Sequence, residues 1–282
     1  MKLIAVKTTC ITAFAIALLF GCKKERADTD IYASLDNSIA DASFNDLQAV
    51  VNQQAAENGF AGLLTETYGK VADDCPTTTF SAPLGEFPNT MTIDFGESCV
   101  SYLGLERSGI VMATFSGPYS TAGTVITVTT ENYFVNGNKV EGTKTVTNDG
   151  LNDDGNIIFS VTVVDGLITL ETGETISWDA TRTREWREGE ETLALEDDIY
   201  AISDGIGADF AASGINRNGV AFTTHIAEPL VKEMDCIWIV SGILEVTPEG
   251  LTTRELDFGD GACDNDATLT IGEFTTDITL PY

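Results

Sequence analysis

Thr124-Val125-Ile126-Thr127-Val128-Thr129-Thr130-Glu131-Asn132-Tyr133-Phe134-Val135-Asn136-Gly137-Asn138-Lys139-Val140 is the stretch whose reading decides the fold. Its first half is almost wholly β-branched, a composition that packs well on a pleated surface and loses rotamer freedom in a helix. Asn136-Gly137-Asn138 then divides Tyr133-Phe134-Val135 from Lys139-Val140. Asn-Gly supplies the positive φ angles of a tight hairpin turn, so the stretch predicts two antiparallel strands.

The same pattern extends outward from it. Ile157 to Val164 is a second β-branched run, and Asp165-Gly166 reads as a turn joining Val161–Val164 to Leu167-Ile168-Thr169-Leu170. Asn216-Arg217-Asn218-Gly219 and Pro248-Glu249-Gly250 mark two more tight connections. From about Thr77 onward the signal is period two, which predicts about a dozen strands of roughly 5–12 residues. The fold class is therefore all-β: an antiparallel meander built as a sandwich, an open barrel or a curled sheet, with one N-terminal helix. That helix is expected over Ser43 to Glu57. Phe44, Leu47, Val51 and Ala55 share a face there, and Ser43 or Asn45 stands as a cap. Its apolar stripe is expected to dock on the first sheet. Ile237-Trp238-Ile239-Val240 is apolar at every position and reads as a central strand buried on both faces.

The N-terminus reads as an export signal. Lys2 and Lys7 precede the run Ile11 to Phe20, and a small residue, Gly21, comes just before Cys22. Ten helical residues rise about 15 Å, half of a bilayer core of roughly 30 Å, so a spanning helix is not expected. Leu19-Phe20-Gly21-Cys22 resembles the lipobox of bacterial lipoproteins. The resemblance implies that residues 1–21 are removed and that Cys22 carries acyl chains, among them a palmitate. Residues 22–35 then read as a flexible tether, and residues 36–282 as the folded body.

Cys10 leaves with the signal and Cys22 is the lipidation site, so Cys75, Cys99, Cys236 and Cys263 remain. Four cysteines in an exported chain read as two disulfides, with three possible pairings. An internal repeat selects one. Cys75 and Cys99 bracket Asp94-Phe95-Gly96 within residues 75–109, and Cys236 and Cys263 bracket Asp257-Phe258-Gly259 within residues 236–272. The predicted bridges are Cys75–Cys99 and Cys236–Cys263, each worth roughly 3.5 kcal/mol by chain entropy. Asp-Phe-Gly also occurs in kinases, but no glycine-rich phosphate loop or His-Arg-Asp segment accompanies it. It reads instead as a core Phe, a turn Gly and an Asp bonded to the local backbone.

Charge narrows the function classes. Removing residues 1–21 takes away two lysines and no acids, which leaves 13 basic and 44 acidic side chains, a net charge of −31. A field of that sign repels nucleic acid, so a nucleic-acid partner is not expected. The chain has one histidine, His225, on an alternating strand-like segment, so multi-histidine zinc sites are excluded by count. A lone strand histidine is most often structural or exposed.

Two clusters stand out as candidate sites. Ile176 to Arg187 alternates, and one face carries Trp178, Arg182, Arg184 and Trp186. Tryptophans that stack on a sugar or aromatic ligand, with arginines holding its polar groups, would form a binding site. The structural alternative is arginine stems covering the tryptophans and guanidinium groups paired with acids. Asp260, Asp264 and Asp266 lie in one acidic stretch whose oxygens suit Ca²⁺, although the spacing matches no EF-hand. Asn152-Asp153-Asp154-Gly155-Asn156 is a weaker relative. No catalytic residue stands out. A hydrolase acting on glycans needs only two carboxylates about 5–10 Å apart, and is the runner-up class.

Lys23-Lys24 after the cysteine, the Asp-Phe-Gly repeat, Trp238-Ile239-Val240-Ser241-Gly242 and Cys263-Asp264-Asn265 together resemble surface lipoproteins of the Bacteroidota. The resemblance implies an outer-membrane protein, lipid-anchored and facing the cell surface, with a periplasm-facing orientation as the alternative. It assigns no activity. The expected function is a non-catalytic binding or structural module that meets the membrane through its lipid anchor only, with a glycan or an envelope protein as partner.

Overall fold

A computed structural model describes residues 28–60, 75–192 and 194–281. It contains one helix, α1 (Tyr32–Glu57), and fifteen strands. These are β1 (Thr77–Phe80), β2 (Asn89–Asp94), β3 (Cys99–Ser101), β4 (Leu105–Phe115), β5 (Val125–Val135), β6 (Asn138–Leu151), β7 (Ile157–Thr169), β8 (Thr175–Glu188), β9 (Ile199–Asp204), β10 (Ala212–Ile215), β11 (Ala221–Glu233), β12 (Ser241–Pro248), β13 (Arg254–Asp260), β14 (Asp266–Ile271) and β15 (Phe274–Thr279). All belong to one sheet, and every pairing is antiparallel. The order follows the chain, so the fold is the expected meander, in its curled-sheet form. Two positions are split. β2 and β3 both pair with β4, and β9 and β10 both lie between β8 and β11 with residues 205–211 looped out between them.

The sheet curls around α1. Side chains or backbone of the helix are bonded by Thr78 on β1, Arg107 on β4, Tyr133 on β5, Lys144 on β6, Trp178 and Arg182 on β8 and Arg217 after β10, and Arg254 on β13 bonds Asp30 just before it. One helix touched from so many strands must lie inside them. Its burial says the same: from Ala33 to Ala56 only Leu35, Ala42 and Asn45 are even half exposed. Those three lie on one face of the helix. Bulges let the strands bend this tightly. Positive-φ residues Gly109, Asn132, Gly142 and Asp165 sit at or beside register shifts in β4, β5, β6 and β7, and bulged strands twist and coil more strongly.

Four sequence expectations change here. The helix begins at Tyr32, eleven residues before Ser43, so residues 32–35 are helix rather than tether. Ser43 and Asn45 are no caps: Ser43 Oγ donates to the Ile39 carbonyl and Asn45 to Asp41, both within the helix. Asp165-Gly166 is no turn, because β7 runs through it and the left-handed Asp165 makes a bulge instead. Gly166 is required by close approach. A Cβ there would lie 2.0 Å from the Trp178 carbonyl and 3.1 Å from the Phe44 ring. Ile237-Trp238-Ile239-Val240 is irregular chain rather than a strand. Its Ile237, Trp238 and Ile239 line one cavity with Ser38, Asp41, Ala42 and Asn45 of α1 and with Phe258 and Leu280. Chain packed between two surfaces is apolar on both sides, just as a central strand is.

Both disulfides form as expected, Cys75–Cys99 and Cys236–Cys263. The first fixes the chain entering edge strand β1, and the second ties the chain just before Ile237 to the β13–β14 loop. The two Asp-Phe-Gly copies also match their reading. Asp94 and Asp257 accept hydrogen bonds from the backbone N–H of Gly96 and Gly259, at 2.8 and 2.9 Å, and Phe95 and Phe258 are buried.

Candidate functional site

The Trp/Arg strand is β8, and its alternation is as expected: Ile176, Trp178, Ala180, Arg182, Arg184 and Trp186 are all buried. The face they share points inward, toward α1, so these residues line no open ligand groove. Trp178 stacks on Phe44 of the helix, with ring centroids 5.4 Å apart, and its Nε1–H donates to Asn37 Oδ1 at 2.9 Å. Arg182 Nη1 donates to Asp41 at 2.6 Å, and Arg182 also lies over the Trp178 ring. Arg184 lies 3.4 Å from the Tyr200 ring centroid and donates to Met234 Sδ at 3.5 Å. Trp186 stacks on Tyr200 and donates to Asp198 at 3.2 Å. Arg182 thus follows the structural alternative, stacked on a tryptophan and paired with an acid of the helix, whereas Arg184 packs on a tyrosine and bonds a methionine.

This polar interior continues around α1. Asp46 accepts from Arg107 Nε at 3.1 Å, from Arg107 Nη2, and from the Tyr133 hydroxyl at 2.7 Å. Asp36 accepts from Arg217 Nε and the Arg217 backbone N–H, both at 2.7 Å. Lys144 Nζ donates to the Phe44 carbonyl at 2.8 Å, and burial, reinforced by nearby Arg184, pulls its pKa down to about 7. Burial and Arg184 likewise lower Lys232 to about 8. Burial raises the Asp198 carboxyl to about 7, against the hydrogen bond from Tyr200. A buried charge is tolerable only when paired or neutralised, and both solutions occur here.

The other sequence candidates lie on the surface. Asp260, Asp264 and Asp266 line one shallow depression with Asp257 and Asp277. Three of these carboxylates are engaged locally: Asp257 with Gly259 N–H, Asp264 with Asp266 N–H, and Asp277 with the Thr268 hydroxyl. Among the described residues no group of three or more His, Cys, Asp or Glu side chains is arranged to hold a metal ion. The Asn152–Asn156 segment is the β6–β7 turn, closed by Asn152 Oδ1 on the N–H groups of Asp154 and Asn156. His225 lies on β11 with Nδ1 3.2 Å from Asp204, at a half-exposed position.

With the inner face occupied, a binding surface has to lie outside. One such surface runs along the outer face of β8, β10 and β11. Its lower part, about 670 Å³, is lined by Ser177, Asp179, Ser213, Thr223 and Thr247 and walled by the Pro248–Leu251 turn. Its upper part, about 440 Å³, shares Asp179 and Ser213 and is walled by the looped-out residues Ile206 to Phe210. Hydroxyls and one carboxylate make the floor. Apolar side chains stand at both ends: Ile206, 84% exposed, with Phe210 above, and Ile215 with Leu251 below. Such a surface has the size of small-ligand sites and offers hydrogen bonds between apolar walls. Sequence reasoning missed it because its residues come from five separate segments. The one available signal was the apolar Ile206 within a run rich in Gly, Asp and Ala. Comparison with protein-family models, with curated proteins and with solved structures finds no match.

Proposed function

We propose that the protein is an outer-membrane lipoprotein whose β body is a non-catalytic binding module at the cell surface. The observation that carries the reading is the sequence Leu19-Phe20-Gly21-Cys22 behind a short basic and apolar leader. The disulfides support it, since such bridges persist in oxidising compartments. Among the described residues no helix is long and apolar enough to cross a membrane, and acyl chains at Cys22 anchor the chain without one. The outer groove over β8, β10 and β11 is the binding surface, and its hydroxyl floor and apolar ends suit a glycan or an extended segment of an envelope protein. Mass spectrometry of the protein from the membrane fraction tests the reading. The expected mature chain begins at an acylated Cys22; a chain that retains residues 1–21, or an unmodified Cys22, overturns it. Protease shaving of intact cells then separates surface from periplasmic exposure.

A further inference from the structure

We infer that the rim of the barrel around the start of α1 rests on the lipid surface that holds Cys22. This rests on the lipidation proposed above and adds a second contact to it. Asp28 and Asp30 are pinned to the β12–β13 region. Arg254, fully buried, donates to the Asp28 carboxylate at 2.7 Å and to the Asp30 carbonyl at 3.0 Å, and Thr252 N–H donates to Asp28 at 3.3 Å. Five residues separate Cys22 from Asp28, six steps along the chain and a reach of at most about 22 Å even when fully extended. The helix alone is about 39 Å long, so its far end lies beyond that reach.

The near rim suits the role. Four large apolar side chains are exposed there: Tyr32 at the start of α1, Ile215 at the end of β10, Leu251 in the β12–β13 turn and Phe274 after the β14–β15 turn. Register puts these elements side by side. Ile215 pairs with Ala221 and Phe222 with Pro248, while Arg254 pairs with Ile271 and Ile271 with Phe274. Tyr32 carries the Arg217 guanidinium over its ring, yet all four side chains keep 40–48% of their surface exposed, and apolar side chains spread around a rim fit the headgroup–acyl boundary of a bilayer. Glu249 and Glu273 stand on the same rim, and the sequence between Cys22 and Asp28 contains Lys23, Lys24 and Arg26. In this orientation the Ile206–Phe210 end of the outer groove points away from the membrane.

The test uses protein purified from membranes, checked by mass for acylation at Cys22 and reconstituted in vesicles of brominated phosphatidylcholine. Tryptophan is placed on the rim in Leu251→Trp and Phe274→Trp, and at the opposite end of the body in Leu151→Trp, each variant first shown to melt like wild type. Rim tryptophans are expected to lose about half their added emission to bromine while that of Leu151→Trp is unchanged. With the lipid present, equal quenching at both ends, or none at the rim, overturns the rim contact alone. A chain without lipid at Cys22 overturns the anchor and the rim contact with it.

Discussion

Replacing Asp46 by alanine removes the carboxylate at the centre of the interior. Asp46 lies in mid-helix and accepts from two Arg107 nitrogens and from the Tyr133 hydroxyl. The side chains of Asp46 and Arg107 are 3% and 0% exposed, so neither is screened by water. Breaking a buried pair by deleting one partner costs about 3–5 kcal/mol, because the remaining charge keeps its desolvation penalty. The loss of the Tyr133 bond adds about 1 kcal/mol or more, and neighbouring effects of this kind do not simply add. A loss of about 4–5 kcal/mol is a large fraction of the 5–15 kcal/mol typical of folded domains. At roughly 2–4 °C per kcal/mol for a body of this size, the melting temperature falls by about 10–15 °C. Asp46→Leu with Arg107→Met removes both charges and should recover most of the loss. Urea denaturation and calorimetry measure both variants. A loss below about 1 kcal/mol for Asp46→Ala, the value of a solvent-exposed pair, refutes the encased helix, as does a double variant no better than the single one.

Other consequences follow from the same interior. Lys144, depressed to about 7, is neutral in the folded chain but protonated in the unfolded chain up to about pH 10, so it adds stability as pH rises from 7 to 10. Asp198, raised to about 7, holds its proton in the folded chain alone between about pH 4 and 7, so its contribution is lost as pH rises through that window. Lys144→Met should therefore flatten the stability profile above pH 7 and leave the acid limb in place; an unchanged alkaline limb removes Lys144 as its cause. Gly166→Ala places a methyl 2.0 Å from the Trp178 carbonyl and should cost several kcal/mol, of order 3 or more, in denaturant titration. Trp178→Ala should lower stability by about 3–5 kcal/mol; a melting temperature near wild type would instead favour a ligand-facing role. Changing Cys236 and Cys263 to Ser opens a loop of 27 residues and should cost roughly 3.5 kcal/mol.

What the sequence reveals here depends on whether a local rule has one structural meaning. Asn136-Gly137 has one, and a hairpin stands there. Asp165-Gly166 has two, because a bulge needs the same positive φ as a turn, and only the neighbouring strand decides between them. The helix boundary was misplaced for a similar reason. An amphipathic stripe assumes one wet face, whereas Asp36, Asn37, Asp41 and Asp46 are buried polar residues, each with a partner in the sheet or its loops at least 61 positions away. Nothing local distinguishes them from solvated side chains. The alternation of Trp178, Arg182, Arg184 and Trp186 was legible, but the direction of that face was not, since an arginine reads as outward until its acid is known. The cysteine repeat was legible because spacing alone carries it.

Native-state hydrogen exchange of α1 tests the encased helix most directly. A helix surrounded by one sheet opens only when the sheet does, so amides from Asp36 to Gln54 are predicted to exchange with free energies close to global unfolding, on every face and as slowly as those of β6 and β7. Fast exchange along one face, or exchange of the whole helix well below the global value, would contradict the account and return α1 to the surface of the sheet.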